Sequence, residues 1–237
     1  MCGIHSYAMI QAVASRYTQA TADRIRYADG QGRLMDSSSA IARGVHRLNR
    51  VSVRYSDGTA VAANGGRPDS GEFVFETPYG SLALPPASFA AMAGDGRAVS
   101  VSGRTDGHRA DLAVCDEYAY MNGRGRLTRT AVGRTDGLLF RRAVSETEET
   151  VVCRDQRQPV ELPYAAERIE AFDREERPLA DVKFAVTNGV TVLQTDGMAW
   201  RYRVVRPKII FRPTPQEALA PFAVREKTIC TQGGDKE

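Results

Sequence analysis

From Leu48 onward the apolar side chains tend to recur at every second residue, and glycine, aspartate, asparagine and proline interrupt them at short intervals. This period constrains the fold more than any other feature, because alternate side chains of a strand point to opposite faces of a sheet. Val51, Val53 and Tyr55 alternate with polar partners. Ser56-Asp-Gly-Thr then turns the chain, and residues 60–63 return toward Asn64-Gly-Gly, which reads as a hairpin. The same reading marks strands at 73–75, 82–84, 89–92, 98–101, 110–115, 118–120, 127–132 and 138–142. A dozen or so short strands between turns predict a mainly β chain, with antiparallel sheets packed as a sandwich.

The amino-terminal segment has a different period. Between His5 and Ile25, apolar residues at Tyr7, Met9, Ile10, Val13, Ala14 and Tyr17 are spaced near 3.6, which predicts an amphipathic helix over 5–25. No capping box precedes it, so the helix reads as the end of a larger fold. Residues 27–33 form a turn, and Ser37 caps a brief helix ending at Gly44. Beyond an acidic stretch at 145–149, strands are expected at 150–153, 160–162 and 169–172. A meander is expected over 180–185, 190–194 and 200–205, with turns at Asn188-Gly and Asp196-Gly and a last strand at 208–211. The resulting division is a helical segment and linker over 1–44, a β-sandwich over 45–145, a small β module over 146–227 and a frayed tail over 228–237.

Charge narrows the function classes. The net charge is +3, and 28 arginines against 4 lysines are scattered singly among 29 acidic residues. A nucleic-acid binder concentrates its cations into a patch, so nucleic acid is not the expected partner. No run of about 18 apolar residues is available to span a membrane, and MCGIHSYAMIQ lacks the pattern of a secretory leader, so a water-soluble chain is expected, cytoplasmic or of unassigned location. Cysteines at 2, 115, 153 and 230 form no CxxC pair, and His5, His46 and His108 lie far apart. No metal or other cofactor is expected, and the thiols read as free and buried.

Chemistry-bearing motifs are sparse. Asp57, Asp95, Asp106, Asp136 and Asp196 each precede glycine and read as turn formers. Asp111, Asp116 and Glu117 flank an apolar strand and are the weak candidates for a pair of catalytic carboxylates, with a structural ion pair from Asp111 to Arg109 or His108 as the competing reading. No nucleophile elbow, Cys–His pair, P-loop or dinucleotide fingerprint is present in the sequence. For contact with carbohydrate the candidates are Tyr118, Tyr120 and Arg124, and the alternating pair Trp200 and Tyr202. Core packing is the competing role for the last two.

One resemblance adds to this reading. Val51-Ser-Val-Arg-Tyr-Ser-Asp-Gly-Thr-Ala-Val-Ala-Ala-Asn, followed by Leu82-Ala-Leu-Pro-Pro-Ala-Ser-Phe, resembles the β-sandwich that follows the catalytic (β/α) barrel of large glycoside hydrolases. Upstream, Tyr7 to Tyr17 and Ile25 to Arg33 resemble the last barrel helix and its exit. Downstream, the similarity reaches Arg109 to Val114 and Tyr118 to Gly125, about 130 residues in all. Ser88 stands where the pattern has glycine, and Ala63-Asn64 where it has Val-Asn. The barrel itself is missing, so no catalytic residue carries over. The resemblance implies an accessory, non-catalytic region that buttresses a barrel through helix 5–25, with at most weak glycan contact. The alternatives are a carbohydrate-active enzyme built on Asp111, Asp116 and Glu117, and a partner-binding or structural β protein with no glycan connection.

Overall fold

The computed structural model describes residues 2–16, 18–207 and 213–224. The expected strand at 208–211 and the tail over 228–237 lie outside the described residues.

The chain opens with α1 (Cys2–Ala14), then β1 (Ala22–Ala28), β2 (Leu34–Asp36) and α2 (Ser37–Ala42). A serial hairpin meander follows through β3 (Arg50–Tyr55), β4 (Ala60–Asn64), β7 (Ser88–Met92), β8 (Val99–Thr105), β9 (His108–Val114), β10 (Tyr118–Asn122), β13 (Leu138–Ala143) and β14 (Glu148–Arg154). Three excursions interrupt it. The hairpin β5 (Phe73–Thr77) and β6 (Gly80–Leu84) is inserted between β4 and β7. The pair β11 (Thr128–Thr130) and β12 (Gly133–Thr135) is inserted between β10 and β13. After β14 come β15 (Val160–Leu162), β16 (Arg168–Phe172), β17 (Pro178–Leu179), β18 (Phe184–Thr187) and β19 (Val190–Leu193), before β20 (Arg201–Val205) and the short α3 (Pro215–Leu219).

Thirteen antiparallel strands form one sheet in the order β17-β16-β20-β14-β13-β10-β9-β8-β7-β4-β3-β1-β2, which does not close into a barrel. A second sheet, β11-β12-β15-β19-β18, and the separate hairpin β5-β6 lie in a second layer. Alternation along the strands sorts the core between the two faces of the large sheet. Val99, Val101, Leu112, Val114 and Met121 join Phe73, Phe75, Leu82 and Leu84 of the hairpin and Val160, Leu162 and Leu193 of the small sheet. Ala91, Ala113, Tyr118 and Tyr120 face the other way and pack with Ala8, Met9, Ala12 and Val13 of α1.

Helix 5–25 is shorter than its periodicity predicts: α1 ends at Ala14, and residues 22–28 are a strand. Arg24-Ile-Arg-Tyr-Ala alternates as well as it spirals. Pairing with β3 (Ile25 opposite Val53, Tyr27 opposite Val51) decides the conformation, a tertiary contact overriding local preference. The expected meander over 180–205 is also corrected. β18 and β19 pair across Asn188-Gly, whereas β20 leaves them for the large sheet, where Tyr202 and Val204 are buried between β14 and β16. The acidic stretch at 145–149 belongs to the β13–β14 hairpin, with Ala143 opposite Glu149, so the large sheet runs through the expected break.

Candidate functional site

The three carboxylates singled out by sequence are not brought together. Asp111 is buried on β9 and takes both oxygens to Arg124, at 2.6 Å to Nε and 2.9 Å to Nη2. The partner is therefore neither Arg109 nor His108. The Arg109 guanidinium donates to Ser102 and to the carbonyls of Pro86 and Ala87, and His108 bonds Thr128 at 2.7 Å. Asp116 lies past the other end of β9, five residues on or roughly 16 Å along an extended chain. There it binds Arg97 at 2.6 Å and Arg16 at 3.0 Å, and Glu117 is exposed beside it. Carboxylates held this way cannot flank one scissile bond, and two of the three are already charge-compensated. Turn aspartates are equally occupied: Asp57, Asp95 and Asp196 each accept the amide two residues ahead at 2.9 Å.

The aromatic candidates divide. Tyr118 and Tyr120 are the seat of α1. The Tyr118 hydroxyl donates to the Ala8 carbonyl at 2.8 Å, Tyr120 bonds His5 Nδ1 at 2.6 Å, and both rings are buried. Loss of solvent pushes both phenols well above their ordinary range. They offer no platform to a sugar. Tyr202 is likewise core, whereas Trp200 is 38% exposed with the guanidinium of Arg154 at 4.4 Å and of Arg174 at 4.9 Å from its ring centre. Cys115 and Cys153 are free and buried; burial raises both thiols, Cys153 to about 12. Among the described residues no group of three or more His, Cys, Asp or Glu is placed to hold a metal ion, and no helix is long and apolar enough to cross a membrane.

What the sequence did not mark is a cleft of about 600 Å³ at the β1–β3 end of the large sheet. Its floor carries Arg24 and Arg26 of β1 and Ser52 and Arg54 of β3, placed on one face because Arg24 pairs with Arg54 and Arg26 with Ser52. One wall is the hairpin β5–β6, contributing Glu72, Val74, Glu76 and Tyr79; the other is the β1–β2 turn with Gln31 and Leu34. That turn is fixed by Asp29, whose carboxylate accepts the amides of Gln31 and Arg33 at 2.9 Å and the Arg33 side chain at 2.9 Å.

Charge in this cleft is unbalanced. The side chains of Arg24, Arg26 and Arg54 make no ion pair or hydrogen bond among the described residues. The two acidic wall residues are engaged elsewhere, Glu72 with Arg104 at 2.7 Å and Glu76 with the Ser81 hydroxyl at 2.6 Å. Val74, Tyr79 and Leu34 bring exposed apolar surface to the same cleft. Three open guanidinium forks with apolar flanks suit a ligand that carries carboxylate-like groups on a partly apolar body, in a volume within the ordinary range for ligand sites. In a sequence with 28 arginines, the signal that could have found it is Arg24-x-Arg26 read at strand period, opposite an arginine on the next strand.

Fold and site together define an antiparallel β scaffold with a cationic cleft between its two layers. No family model, no curated protein and no solved structure matches the chain.

Proposed function

We propose that this chain is a non-catalytic binding module whose arginine-floored cleft receives an anionic ligand. The observation that carries the reading is the trio Arg24, Arg26 and Arg54, lining one cleft with no acidic partner among the described residues, in a molecule where many other arginines are paired. The non-catalytic part is supported by the dispersal of Asp111, Asp116 and Glu117 into separate, mostly paired settings. An accessory place beside a glycan-degrading barrel is the role the sequence resemblance implies, and under that reading the cleft faces acidic rather than neutral sugar. α1 bears on it too: its buried face, Ala8, Met9, Ala12 and Val13, is spent on its own sheet, leaving Tyr7 and Ile10 for any neighbouring domain.

The test is calorimetric titration with polyglutamate, polygalacturonate and neutral maltohexaose at two salt concentrations. Binding of an acidic polymer that weakens with salt and is lost in the triple variant R24Q/R26Q/R54Q is the expected result. Equal affinity of the triple variant for every ligand that binds, or turnover of a glycan by the purified chain, overturns the reading.

A further inference from the structure

The cleft has one more property: its hairpin wall ends in an unpaired strand. β5 has β6 as its one strand neighbour among the described residues, with Phe73 opposite Leu84 and Thr77 opposite Gly80. In a two-stranded hairpin, alternate N–H and C=O groups of each strand point away from the partner. Glu72, Val74, Phe75 and Glu76 line the cleft, so β5 is the hairpin strand that borders it. β6, by contrast, is flanked on its other side, where Leu82 bridges Ala223 and Val224 donates its amide to Ser81.

We propose that the cleft takes an extended acidic peptide, added to β5 as a third strand of the hairpin sheet, with carboxylates on alternate residues directed down onto Arg24, Arg26 and Arg54. This deepens the binding-module reading and rests on it. The geometry agrees at three points. Phe73 and Phe75 point into the core, so β5 lies in a second layer over the large sheet, and a strand beside it alternates between floor and solvent in the same way. Side chains two apart on a strand repeat at roughly 6.6 Å, and Arg24 and Arg26 are themselves two apart on β1. The solvent-facing residues of the guest lie next to Val74 and Glu76, where apolar or basic side chains fit.

Competing anions fit less well. Phosphate sites draw on free main-chain N–H groups. Here four of the five glycine amides around the cleft are taken: Gly32 by the Asp29 carbonyl, Gly58 by Tyr55, Gly96 by Ala93, and Gly94 by the Thr59 hydroxyl. A nucleic-acid strand needs a longer cationic track and more stacking faces than Arg24, Arg26, Arg54 and Tyr79 supply.

The experiment is fluorescence anisotropy on the full chain with a labelled ten-residue peptide alternating valine and glutamate. Three companion probes are used: the same peptide N-methylated at alternate backbone amides in each of the two phases, the valine–lysine analogue, and the oligonucleotide (dT)10, with inorganic phosphate as competitor. The valine–glutamate peptide is expected to bind and the lysine analogue not. One phase of N-methylation is expected to weaken binding tenfold or more while the other is tolerated, because only alternate amides face β5. The variant R24Q/R26Q/R54Q, checked for native circular dichroism, is expected to lose about tenfold or more. Loss in the triple variant with no effect of either N-methylation overturns strand addition and leaves the anionic cleft standing. Unchanged affinity in the triple variant, or absence of any anionic binding, overturns both. Tighter binding of (dT)10 than of the peptide, or displacement by phosphate at equimolar concentration, overturns the peptide as the occupant.

Discussion

Two sets of arginines in this molecule are chemically identical and stand in opposite settings. Between the large sheet and the small one, Arg141 and Arg206 are buried around Glu149. Arg141 reaches it by Nε and Nη2 at 3.1 Å each, Tyr164 donates to the same carboxylate, and Arg141 and Arg206 lie over the Tyr164 ring at 4.9 and 5.2 Å. In the cleft, Arg24, Arg26 and Arg54 have no such partners among the described residues. A guanidinium surrounded by its own acid and ring is a fastening between layers, because burying it without them costs several kcal/mol. One left open at the surface contributes little to folding and retains its charge for something outside. Position along the chain does not tell the two apart; surroundings do.

That contrast can be broken at either end. The largest effect is expected from Glu149→Gln, which leaves two buried guanidiniums facing a neutral amide. Chemical denaturation should show a loss of about 3–5 kcal/mol, and a loss below 1 kcal/mol would mean the cluster does not fasten the layers. Next comes Asp111→Asn, which uncouples the buried carboxylate from the half-exposed Arg124. The expected loss is about 1–3 kcal/mol, with no change in any activity, since the pair is structural. A glycan turnover that disappears with Asp111 would reverse that assignment.

Acid tests an intermediate case. Glu161 on β15 pairs with Arg134 of β12 and, at 2.6 Å, with Arg129 of β11. Burial pushes its carboxyl upward, but the Arg134 hydrogen bond and the two positive charges prevail and hold it below its ordinary 4.5. A folded value below the unfolded one means stability that is present above 4.5 and lost as pH falls through the depressed value. Because Arg129 is largely and Arg134 partly solvent-exposed, the contribution is about 1 kcal/mol or less. Glu161→Gln should flatten the acid limb of the stability curve, and an unaltered limb would remove the pair from the account. The smallest effect falls at the open end of the comparison. R24Q/R26Q/R54Q is expected to change stability by no more than about 0.5 kcal/mol, and upward if at all, because three like charges stop repelling one another. A loss of 2 kcal/mol or more would make these residues fastenings too.

Period two made most strands between Val51 and Arg142 legible, down to the Ser56-Asp-Gly-Thr hairpin, because adjacent turns set their registers; the strand expected at 127–132 instead ends at Thr130, and the chain turns into β12 at Gly133. β1 escaped since Arg24-Ile-Arg-Tyr-Ala satisfies a helical and a strand spacing equally well, and the deciding partner, β3, lies beyond a loop. β20 escaped because Asp196-Gly marks a reversal without saying which sheet the chain rejoins. For the site, Arg24 fell inside the expected helix and Arg26 in its exit, while Arg54 read as an ordinary polar partner of Val53 and Tyr55. A cleft is a property of two layers, and the β5–β6 wall that makes it comes from an insertion some twenty residues downstream of Arg54.

The long excursion between β14 and β20 carries a consequence for how the molecule assembles. Strands β3 to β14 meet mainly neighbours reached by short connections, so much of that meander can zip from local encounters. β20 seats itself between β14 and β16 only after more than forty residues have looped out to build the second sheet and returned, and closing a loop of that length carries an entropic cost before any contact offsets it. The Arg141–Glu149–Arg206 fastening, whose last member follows β20 directly, is therefore completed late. Refolding followed through Trp200, which sits just before β20, should lag behind the growth of strand content, so that the chain's lone tryptophan reports the slow half of the fold.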